Sequence, residues 1–312
     1  MEYFHQPVLV SEVIDFLNPR SNQNVIDATI GGGGHAETIL KKTAPNGHLL
    51  GLDRDPRAIT AASKNLKKFN SRVTLICDSY KNINKIINEQ RSFIHYHHLL
   101  LDLGLSSAQV APDEPRGFSF QSQEALDMRF GPQSDLTAEK IINQWKELDL
   151  INIFQNYGEE RFARQIAKNI GLYRKDKPIK TAGDLVKLIM RVYGGKRGKI
   201  HPATKIFQAL RIAVNDELNV LKSSLPEMLD ILPVGGRMAV ISYHSLEDRI
   251  VKFFFKEEAK DCLCPKEIPV CQCHHQAGLK ILTKKVIKPS LSEIKENPRS
   301  RSAKLRVVEK IV

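Results

Sequence analysis

The chain has 312 residues, which is the length of about two domains. Its composition, with 42% hydrophobic and 26% charged residues, excludes a disordered or a fibrous protein. Its formal net charge of +12 favours a polyanionic partner. No run approaches the roughly 18 apolar residues of a membrane span, so we expect a soluble, cytoplasmic protein that does not contact membranes.

The first third of the chain alternates short apolar runs with helical patterns, as a parallel sheet with crossover helices requires. The predicted elements are strands at 24–29, 48–53, 73–78 and 97–103 and helices at 36–42, 56–69 and 82–89. Pro56, preceded by Asp55, is a typical helix start. This order predicts a doubly wound α/β domain.

A glycine-rich loop follows the first predicted strand, in the stretch Asp27-Ala-Thr-Ile-Gly-Gly-Gly-Gly-His. Glycines allow a ligand to approach the backbone, and the spacing of Gly31, Gly33 and Ala36 fits the dinucleotide pattern G-x-G-x-x-A. Asp53, about twenty residues further on, is the candidate ribose-binding acid. The loop alone is compatible with either a nicotinamide dinucleotide or S-adenosylmethionine.

Acidic residues stand at the ends of all four predicted strands: Asp27, Asp53, Asp78 and Asp102. They therefore lie at the edge where α/β folds bind ligands. A carboxylate at Asp27 suits the positive methionine end of S-adenosylmethionine and would repel a pyrophosphate. The alternative is that these acids only cap helices, which explains one or two of them but not four.

The strand pattern stops near residue 109. Helical stretches, such as 138–145 and 157–170, then alternate with loops rich in proline, glycine and charge. We predict an inserted, mostly helical domain at 109–200, between two parts of the α/β domain at 1–108 and 201–312.

Positive charge is concentrated in this inserted domain. Between Arg161 and Lys205, the basic stretch, thirteen Lys or Arg residues accompany only two acids, Asp176 and Asp184. Such a segment predicts phosphate contacts with a polyanion through counterion release. The alternative is a solvated helix face without a partner.

After residue 200 the α/β pattern resumes. We predict a long amphipathic helix at 202–221, a strand at 238–243, a helix from Leu246 and final strands near 281–286 and 305–311. Ser245 and Asp248 have the spacing of a capping box at a helix start.

Cysteines are concentrated in one short segment of this C-terminal part. The five in the chain are too few for a secreted disulfide scaffold. Four of them, Cys262, Cys264, Cys271 and Cys273, stand together and are followed by two histidines, whereas Cys77 stands apart. The cluster predicts either a structural zinc site, with C-x-C tighter than the usual spacing, or free thiols in a loop.

Several long motifs together resemble one family. They are Asp27-Ala-Thr-Ile-Gly-Gly-Gly-Gly-His, Asp53-Arg-Asp-Pro, Leu101-Asp-Leu-Gly-Leu-Ser-Ser-Ala-Gln, Arg116-Gly-Phe-Ser-Phe, Leu126-Asp-Met-Arg, Tyr157-Gly-Glu-Glu-Arg, His201-Pro-Ala-Thr-Lys-Ile-Phe-Gln-Ala-Leu-Arg, Ser242-Tyr-His-Ser-Leu-Glu-Asp-Arg and Asn297-Pro-Arg-Ser-Arg-Ser-Ala-Lys-Leu-Arg. The chain resembles the bacterial S-adenosylmethionine-dependent methyltransferases that methylate N4 of a cytidine in 16S rRNA of the small ribosomal subunit.

The resemblance implies a class I, Rossmann-like methyltransferase sheet with an inserted helical substrate-recognition domain. Its implied partner is 16S rRNA or the small ribosomal subunit, and no DNA is expected. The implied cofactor contacts are Gly33, Gly34, His35, Asp53, Tyr80, Asp102 and Gln109. To these the strand-end pattern adds Asp27 and Asp78 as candidates, and the spacing of the glycine loop adds Gly31.

Methylation of an exocyclic amine needs a group that localises the amine lone pair and steadies the developing positive charge. Asp102, at the end of the fourth strand, is the candidate catalytic acceptor. His244 is the candidate for lining the substrate pocket, and Phe118, Phe120 or Tyr243 could stack on the base or belong to the core.

Two competing functions remain open at this point, and two further motifs need to be weighed. A nicotinamide-dependent oxidoreductase would use the same glycine loop, and a non-catalytic RNA-binding assembly factor would keep the fold. The stretch Tyr243-His-Ser-Leu-Glu-Asp could suggest a hydrolase triad, but G-x-S-x-G is absent. The stretch 194–199 lacks the residues of a phosphate-binding loop and favours a basic turn that faces RNA.

Overall fold

The computed structural model describes residues 6–90, 95–111, 114–132, 134–195, 201–265, 267 and 270–312. The chain divides into two compact units. The sheet unit comprises Met1–Gly104 and Leu218–Val312, and the helical unit comprises Leu105–Glu217. Within the described ranges, no helix combines the length and apolar character that a bilayer crossing requires.

A seven-stranded sheet organises the sheet unit. Its strands are β1 (Val25–Asp27), β2 (Leu49–Asp53), β3 (Val73–Cys77), β4 (His98–Asp102), β5 (Arg237–Ser242), β6 (Leu279–Ile281) and β7 (Lys304–Lys310). The order across the sheet is β3-β2-β1-β4-β5-β7-β6. Strands β1 to β5 pair in parallel, whereas β7 is antiparallel to both β5 and β6. The predicted α/β class with a class I, Rossmann-like sheet is confirmed.

Helices flank this sheet and build the helical unit. They are α1 (Val10–Leu17), α2 (Gly34–Lys42), α3 (Pro56–Asn65), α4 (Ile83–Glu89), α5 (Ala138–Gln144), α6 (Glu147–Asn156), α7 (Ala163–Asp176), α8 (Ala182–Val192), α9 (Ala203–Asn215), α10 (Glu217–Ile231), α11 (Ser245–Glu258) and α12 (Leu291–Glu296). Short 3-10 turns cover Lys67–Arg72, Tyr80–Asn82 and Pro298–Ser302.

Both faces of the central strands β1, β2, β4 and β5 are buried, which explains why these strands read as continuous apolar runs. In β4, Leu99 and Leu101 belong to one core cluster with Met228 of α10. Leu100 belongs to a second cluster with Leu17 of α1. Successive side chains of a strand point to opposite faces, so the two clusters hold the sheet between layers of helices and fix the positions of its strand ends.

The helical unit has a core of its own. Ile141, Phe154, Ile166, Leu185 and Leu210, from α5 to α9 respectively, are buried in one cluster. Each helix presents an apolar stripe inward and leaves its polar stripe outside. Among the described residues, most cations of the basic stretch are accordingly exposed.

The helical unit extends further along the chain than the predicted boundaries of 109–200. Helix α9 belongs to it, because Ile206 and Phe207 are buried in its core, and the sheet unit resumes at Leu218. The single helix predicted at 202–221 is wrong, since Asp216, with φ of 53°, separates α9 from α10. At the other end the break follows Gly104 rather than residue 108.

Smaller differences concern helix ends. The helix predicted at 157–170 begins at Ala163, because the chain first turns through Glu159, whose φ is 48°. The helix predicted at 56–69 ends at Asn65 and continues as a 3-10 turn. Helices α1, α6, α8 and α12 were not predicted.

Candidate active site

The first four strands bring acidic side chains to one edge of the sheet. Asp27, Asp53 and Asp102 are the last residues of β1, β2 and β4, and Asp78 directly follows β3. These strands are parallel neighbours in the order β3-β2-β1-β4, so their carboxyl ends meet at the same edge. We call this edge, with the loops that leave it, the carboxyl edge.

Asp27 is set back from that edge by the register of the sheet. It pairs with Gly51 of β2 and Leu100 of β4, two residues before Asp53 and Asp102. Its side chain is only 1% exposed. Burial, aided by the negative charges of Asp102 and Asp53, raises the pKa of Asp27 to about 8. Without a cation nearby, this acid is therefore mostly protonated at neutral pH.

The glycine loop turns from β1 into α2 through two left-handed residues, Gly31 with φ of 50° and Gly33 with φ of 85°. Helix α2 begins at Gly34 without a side-chain cap. A Cβ on Gly34 would lie 2.8 Å from Pro7 Cγ, which is too close for a real contact. The loop thus needs glycine both for its turn and for its packing, and it places the start of α2 at the carboxyl edge.

Asp53 joins two loops of this edge. Its Oδ2 accepts a hydrogen bond from the backbone N–H of Gly31 at 3.0 Å, and its Oδ1 accepts one from that of Asp55 at 2.9 Å. Desolvation raises the pKa of Asp53 to about 6, against backbone hydrogen bonds from Asp55, Gly31 and Arg54, which lower it. The carboxylate is therefore oriented before any ligand arrives.

Asp102 is held by a tyrosine from the neighbouring strand end. The Tyr243 hydroxyl donates to Asp102 Oδ1 at 2.8 Å, and the Asp102 N–H donates to Thr29 Oγ1 at 2.6 Å. Burial first, and then the Asp102 charge, raises the pKa of Tyr243 well above its usual value. The tyrosine therefore stays protonated and remains a donor, which fixes the carboxylate plane.

His35 lies beside the same carboxylate as a neutral ring. Its Nε2 lies 2.8 Å from the carbonyl oxygen of Val8, an acceptor, so Nε2 carries the proton. Burial lowers the pKa of His35 to about 4, and its Nδ1 is 3.7 Å from Asp102 Oδ2. The pair is therefore not an ion pair at neutral pH, and Nδ1 offers a lone pair rather than a proton to its surroundings.

The two candidates after β3 belong to a short turn. Asp78 Oδ1 accepts hydrogen bonds from the Ser79 N–H at 2.6 Å and from Asn82 Nδ2 at 2.9 Å. Tyr80 begins the 3-10 turn, and its half-buried ring packs against the core cluster of α4 and β4. Asp78 thus has a capping role here, and a ligand contact for either residue stays a prediction.

His244 caps helix α11. Its Nδ1 accepts a hydrogen bond from the Glu247 N–H at 3.4 Å, and Glu247 Oε2 accepts from the N–H of His244 at 3.3 Å. This capping box lies one residue earlier than the predicted pair of Ser245 and Asp248, which is wrong. Asp248 instead binds Lys304 and Arg306 of β7. A part for His244 in the reaction stays a prediction.

Gln109 lies in the helical unit, unlike the other candidates for cofactor contact. It is buried, and its Oε1 accepts a hydrogen bond from the Ser106 N–H at 3.0 Å. Its own N–H donates to Ser106 Oγ at 3.2 Å. These reciprocal bonds fix a tight turn directly after the first break between the units.

The basic stretch exposes most of its described cations. The exposed ones are Arg161, Arg164, Lys168, Lys175, Lys177, Lys180, Lys187 and Arg191. Arg174 differs, because its guanidinium donates to the carbonyls of Ile142 and Trp145 at 2.6 Å each and so caps α5. Lys196, Arg197 and Lys199, in the predicted RNA-facing turn, lie outside the described residues.

The aromatic candidates have different surroundings. Phe118 is buried in the helical core and stacks on Phe130 with ring centres 5.7 Å apart. Phe120 is half-buried and stacks on His201 at 4.5 Å. A core role therefore accounts for Phe118, whereas Tyr243 is engaged through its hydroxyl.

The four clustered cysteines are brought together. Their sulfur atoms all lie within 4.8 Å of one another, at Cys262, Cys264, Cys271 and Cys273. His275 instead directs Nε2 towards the carbonyl of Glu257 at 3.3 Å. Thiols alone therefore form the cluster among the described residues.

Sequence reasoning missed the hydroxyl of Tyr243 as the partner of Asp102, because the two residues are far apart in the chain. One signal was present. Tyr243 directly follows β5, and β5 pairs with β4 so that Ile241 lies opposite Asp102. An aromatic residue two positions beyond that pair is placed to reach the end of β4.

Comparisons with known proteins identify relatives of this chain. The chain is 49% identical over its full length to the ribosomal RNA small subunit methyltransferase H of Dehalococcoides mccartyi strain BAV1, of which 88% is covered. It is 47% identical to the protein of the same name from Heliobacterium mobile, with both chains fully covered. A crystal structure of a putative rRNA methylase from Clostridium thermocellum aligns over 99% of this chain and 100% of the other at 14% identity and a TM-score of 0.46.

The family assignment rests on the sequence. Residues 2–311 match the MraW methylase family. This match covers both the glycine loop and the strand-end acids of the carboxyl edge, as well as the helical unit. The chain belongs to the MraW methylase family.

Proposed function

We propose that this protein transfers a methyl group from S-adenosylmethionine to the exocyclic N4 of a cytidine in 16S rRNA of the small ribosomal subunit, in the cytoplasm. The family and the names of the relatives support the reaction and the substrate class. The observation that carries the proposal is the Asp102 carboxylate, held by Tyr243 at 2.8 Å beside the glycine loop.

The carboxyl edge fits the methyl donor. The glycine loop lets a ligand approach the backbone at the start of α2. Asp53, whose carboxylate is oriented by the N–H groups of Gly31 and Asp55, would accept hydrogen bonds from the ribose hydroxyls. When bound, S-adenosylmethionine supplies a methyl carbon on a positively charged sulfur. Gly33, Gly34 and His35 would line the methionine part, and Asp78, Tyr80 and Gln109 are further candidates for contacts.

Asp27 favours this donor over a dinucleotide. Its recessed carboxyl has a pKa raised to about 8 by burial, so it gains charge readily only next to a cation. A sulfonium or ammonium group supplies such a cation. A pyrophosphate is itself negatively charged and would not stabilise the charged form of this buried acid. This contrast, with membership in a methylase family, disfavours the nicotinamide-dependent oxidoreductase.

Asp102 would act on the nucleophile. The N4 lone pair would attack the methyl carbon as the bond from carbon to sulfur breaks, and S-adenosylhomocysteine would leave with the bonding electron pair. N4 would become positively charged and then lose a proton to water. We expect the Asp102 carboxylate, which Tyr243 orients through Oδ1, to accept a hydrogen bond from N4 and to steady that charge. His35 is neutral and cannot repel the cation.

The helical unit would bind the RNA. Exposed cations along α7 and α8 include Lys168, Lys175 and Lys187, and only two acids accompany them in the basic stretch, of which Asp184 lies 3.7 Å from Lys187 Nζ. Phosphate contacts from such side chains position an RNA without reading its sequence. The substrate specificity itself would then depend on the target base and its surroundings.

The test is transfer of a radiolabelled methyl group to three substrates: naked 16S rRNA, isolated small subunits and an assembly intermediate. We expect N4-methylcytidine in at least one of them, identified by nucleoside mass spectrometry. Donor binding without transfer to any of the three would instead favour the non-catalytic assembly factor, and NADH binding in place of S-adenosylmethionine would favour the oxidoreductase.

A further inference from the structure

Outside the carboxyl edge, the most concentrated group of reactive side chains is in the cysteine loop, the segment 259–278 between α11 and β6. Its ends are fastened to each other and to the sheet. The Gly278 N–H donates to the carbonyl of Glu258 at 2.8 Å, and the Ile311 N–H donates to that of Gly278 at 2.9 Å. The described part of the loop contains no helix or strand, and loops of this length usually need another source of order.

The sulfur atoms in this loop lie close enough together to share one ion. The Sγ atoms of Cys262, Cys271 and Cys273 are 3.4, 3.6 and 3.7 Å apart, and Cys264 lies within 4.8 Å of each. Four thiolates on one zinc ion, with bonds of about 2.3 Å, stand about 3.8 Å apart at the tetrahedral angle. A disulfide needs sulfurs about 2.05 Å apart, so the observed spacing matches a shared ion better.

Backbone donors surround the same sulfurs. The Leu263 N–H donates to Cys273 Sγ at 3.3 Å, the Gln272 N–H to Cys264 Sγ at 3.3 Å, and the Cys264 N–H to Cys262 Sγ at 3.4 Å. Such hydrogen bonds stabilise thiolates and orient metal ligands. Four exposed or half-buried free thiols would otherwise be open to oxidation.

We propose that Cys262, Cys264, Cys271 and Cys273 bind one structural zinc ion that holds the cysteine loop together. The thiolate set selects zinc or iron, and sulfur atoms this close together leave room for a single ion rather than an iron–sulfur cluster. With all four positions taken by cysteine, the ion has no open position for a substrate or a water. Its role is therefore to order the loop and not to take part in methyl transfer.

The experiment measures the metal in the full chain purified under reducing conditions with zinc in the growth medium. Elemental analysis should find about one zinc per chain, and replacement by cobalt should give the absorption bands of a tetrahedral thiolate site. The single variants Cys264→Ser and Cys271→Ser should retain zinc far less well in competition with a chelator, by more than the roughly 10- to 100-fold that changes outside the ligand set produce.

The fifth cysteine supplies the control. Cys77→Ser should keep the full zinc content, because Cys77 lies at the end of β3 and not in the cysteine loop. Chelator treatment should open the loop to trypsin at Lys260 in the wild type, while calorimetric affinity for S-adenosylmethionine shows that the sheet unit stays folded.

Three results would overturn the proposal. They are wild-type protein without stoichiometric zinc, equal zinc retention in Cys271→Ser and in Cys77→Ser, and an intact mass lowered by the hydrogens lost on disulfide formation.

Discussion

The carboxyl edge of the sheet unit and the basic stretch of the helical unit carry opposite charges in opposite environments. The acids of the edge are buried or half-buried, and backbone N–H groups or Tyr243 orient several of them. Most cations of the stretch are exposed. A buried charged group interacts strongly with its few partners. Exposed charges each contribute little, and their contributions add. Single substitutions should therefore be severe at the edge and mild in the stretch.

The largest expected effect is at Asp102. Asp102→Asn keeps the shape of the side chain but removes the charge that steadies the developing cation, and losing one such oriented interaction costs roughly 10²- to 10³-fold in rate. Single-turnover methyl transfer at saturating donor measures it, with RNA affinity nearly unchanged. If saturating donor restores the rate, Asp102 serves donor binding only.

Tyr243→Phe tests how far the effect of Asp102 depends on the hydrogen bond that orients its carboxylate. It keeps the ring and removes the hydroxyl that holds Asp102 Oδ1. Loss of one hydrogen bond to a charged group is worth about 1.5 to 3 kcal/mol, and we expect a smaller loss of rate than in Asp102→Asn. In the double variant the two losses should not add, because both act through one carboxylate.

Asp53→Ala should weaken S-adenosylmethionine binding by about 2 to 4 kcal/mol, because two charge-assisted hydrogen bonds to ribose hydroxyls are lost. Asp53 also accepts the N–H groups of Gly31 and Asp55, so thermal unfolding is measured alongside calorimetry. Asp53→Asn is the matched variant, since it keeps an acceptor oxygen. Unchanged affinity in folded Asp53→Ala would remove Asp53 from the donor site.

A pH dependence should follow from Asp27. Its pKa is about 8 in the free protein, and a bound cation favours the charged form, so donor binding releases a proton. Affinity should therefore rise with pH by up to about tenfold per unit below pH 8 and level off above it. Asp53, with a pKa of about 6, should add a second rise in affinity at lower pH. Asp102 is a further acidic group that faces the same site.

Calorimetry of donor binding across that pH range, in wild type and Asp27→Asn, provides the measurement. The variant should lose the rise near pH 8 and keep the one near pH 6. S-adenosylhomocysteine, which lacks the sulfonium charge, should show a weaker dependence on pH than the donor. Equal dependence in wild type and variant would assign the released proton to another group.

The sequence predicted the sheet better than the site. Apolar runs that end in aspartate marked β1 to β4, because both sheet faces are buried and the strands end at the ligand edge. What the sequence could not provide is register, and register sets Asp27 back from the edge. The contact between Asp102 and Tyr243 likewise depends on the pairing of β4 with β5. Helix α9 was assigned to the wrong unit because amphipathic periodicity does not say which core a helix joins.

The smallest expected effect is in the basic stretch. Lys168→Gln combined with Lys175→Gln on α7 should lower the slope of log K against log salt for RNA binding by about 0.7 to 0.9 for each lost phosphate contact. The control is Lys222→Gln with Lys256→Gln, exposed lysines of the sheet unit, which should leave the slope unchanged. Arg174→Gln provides the opposite contrast. Its guanidinium caps α5, so its loss should lower the melting temperature more than it changes the slope. An equal slope in all variants would mean that the charges of α7 only face solvent and that RNA binds elsewhere.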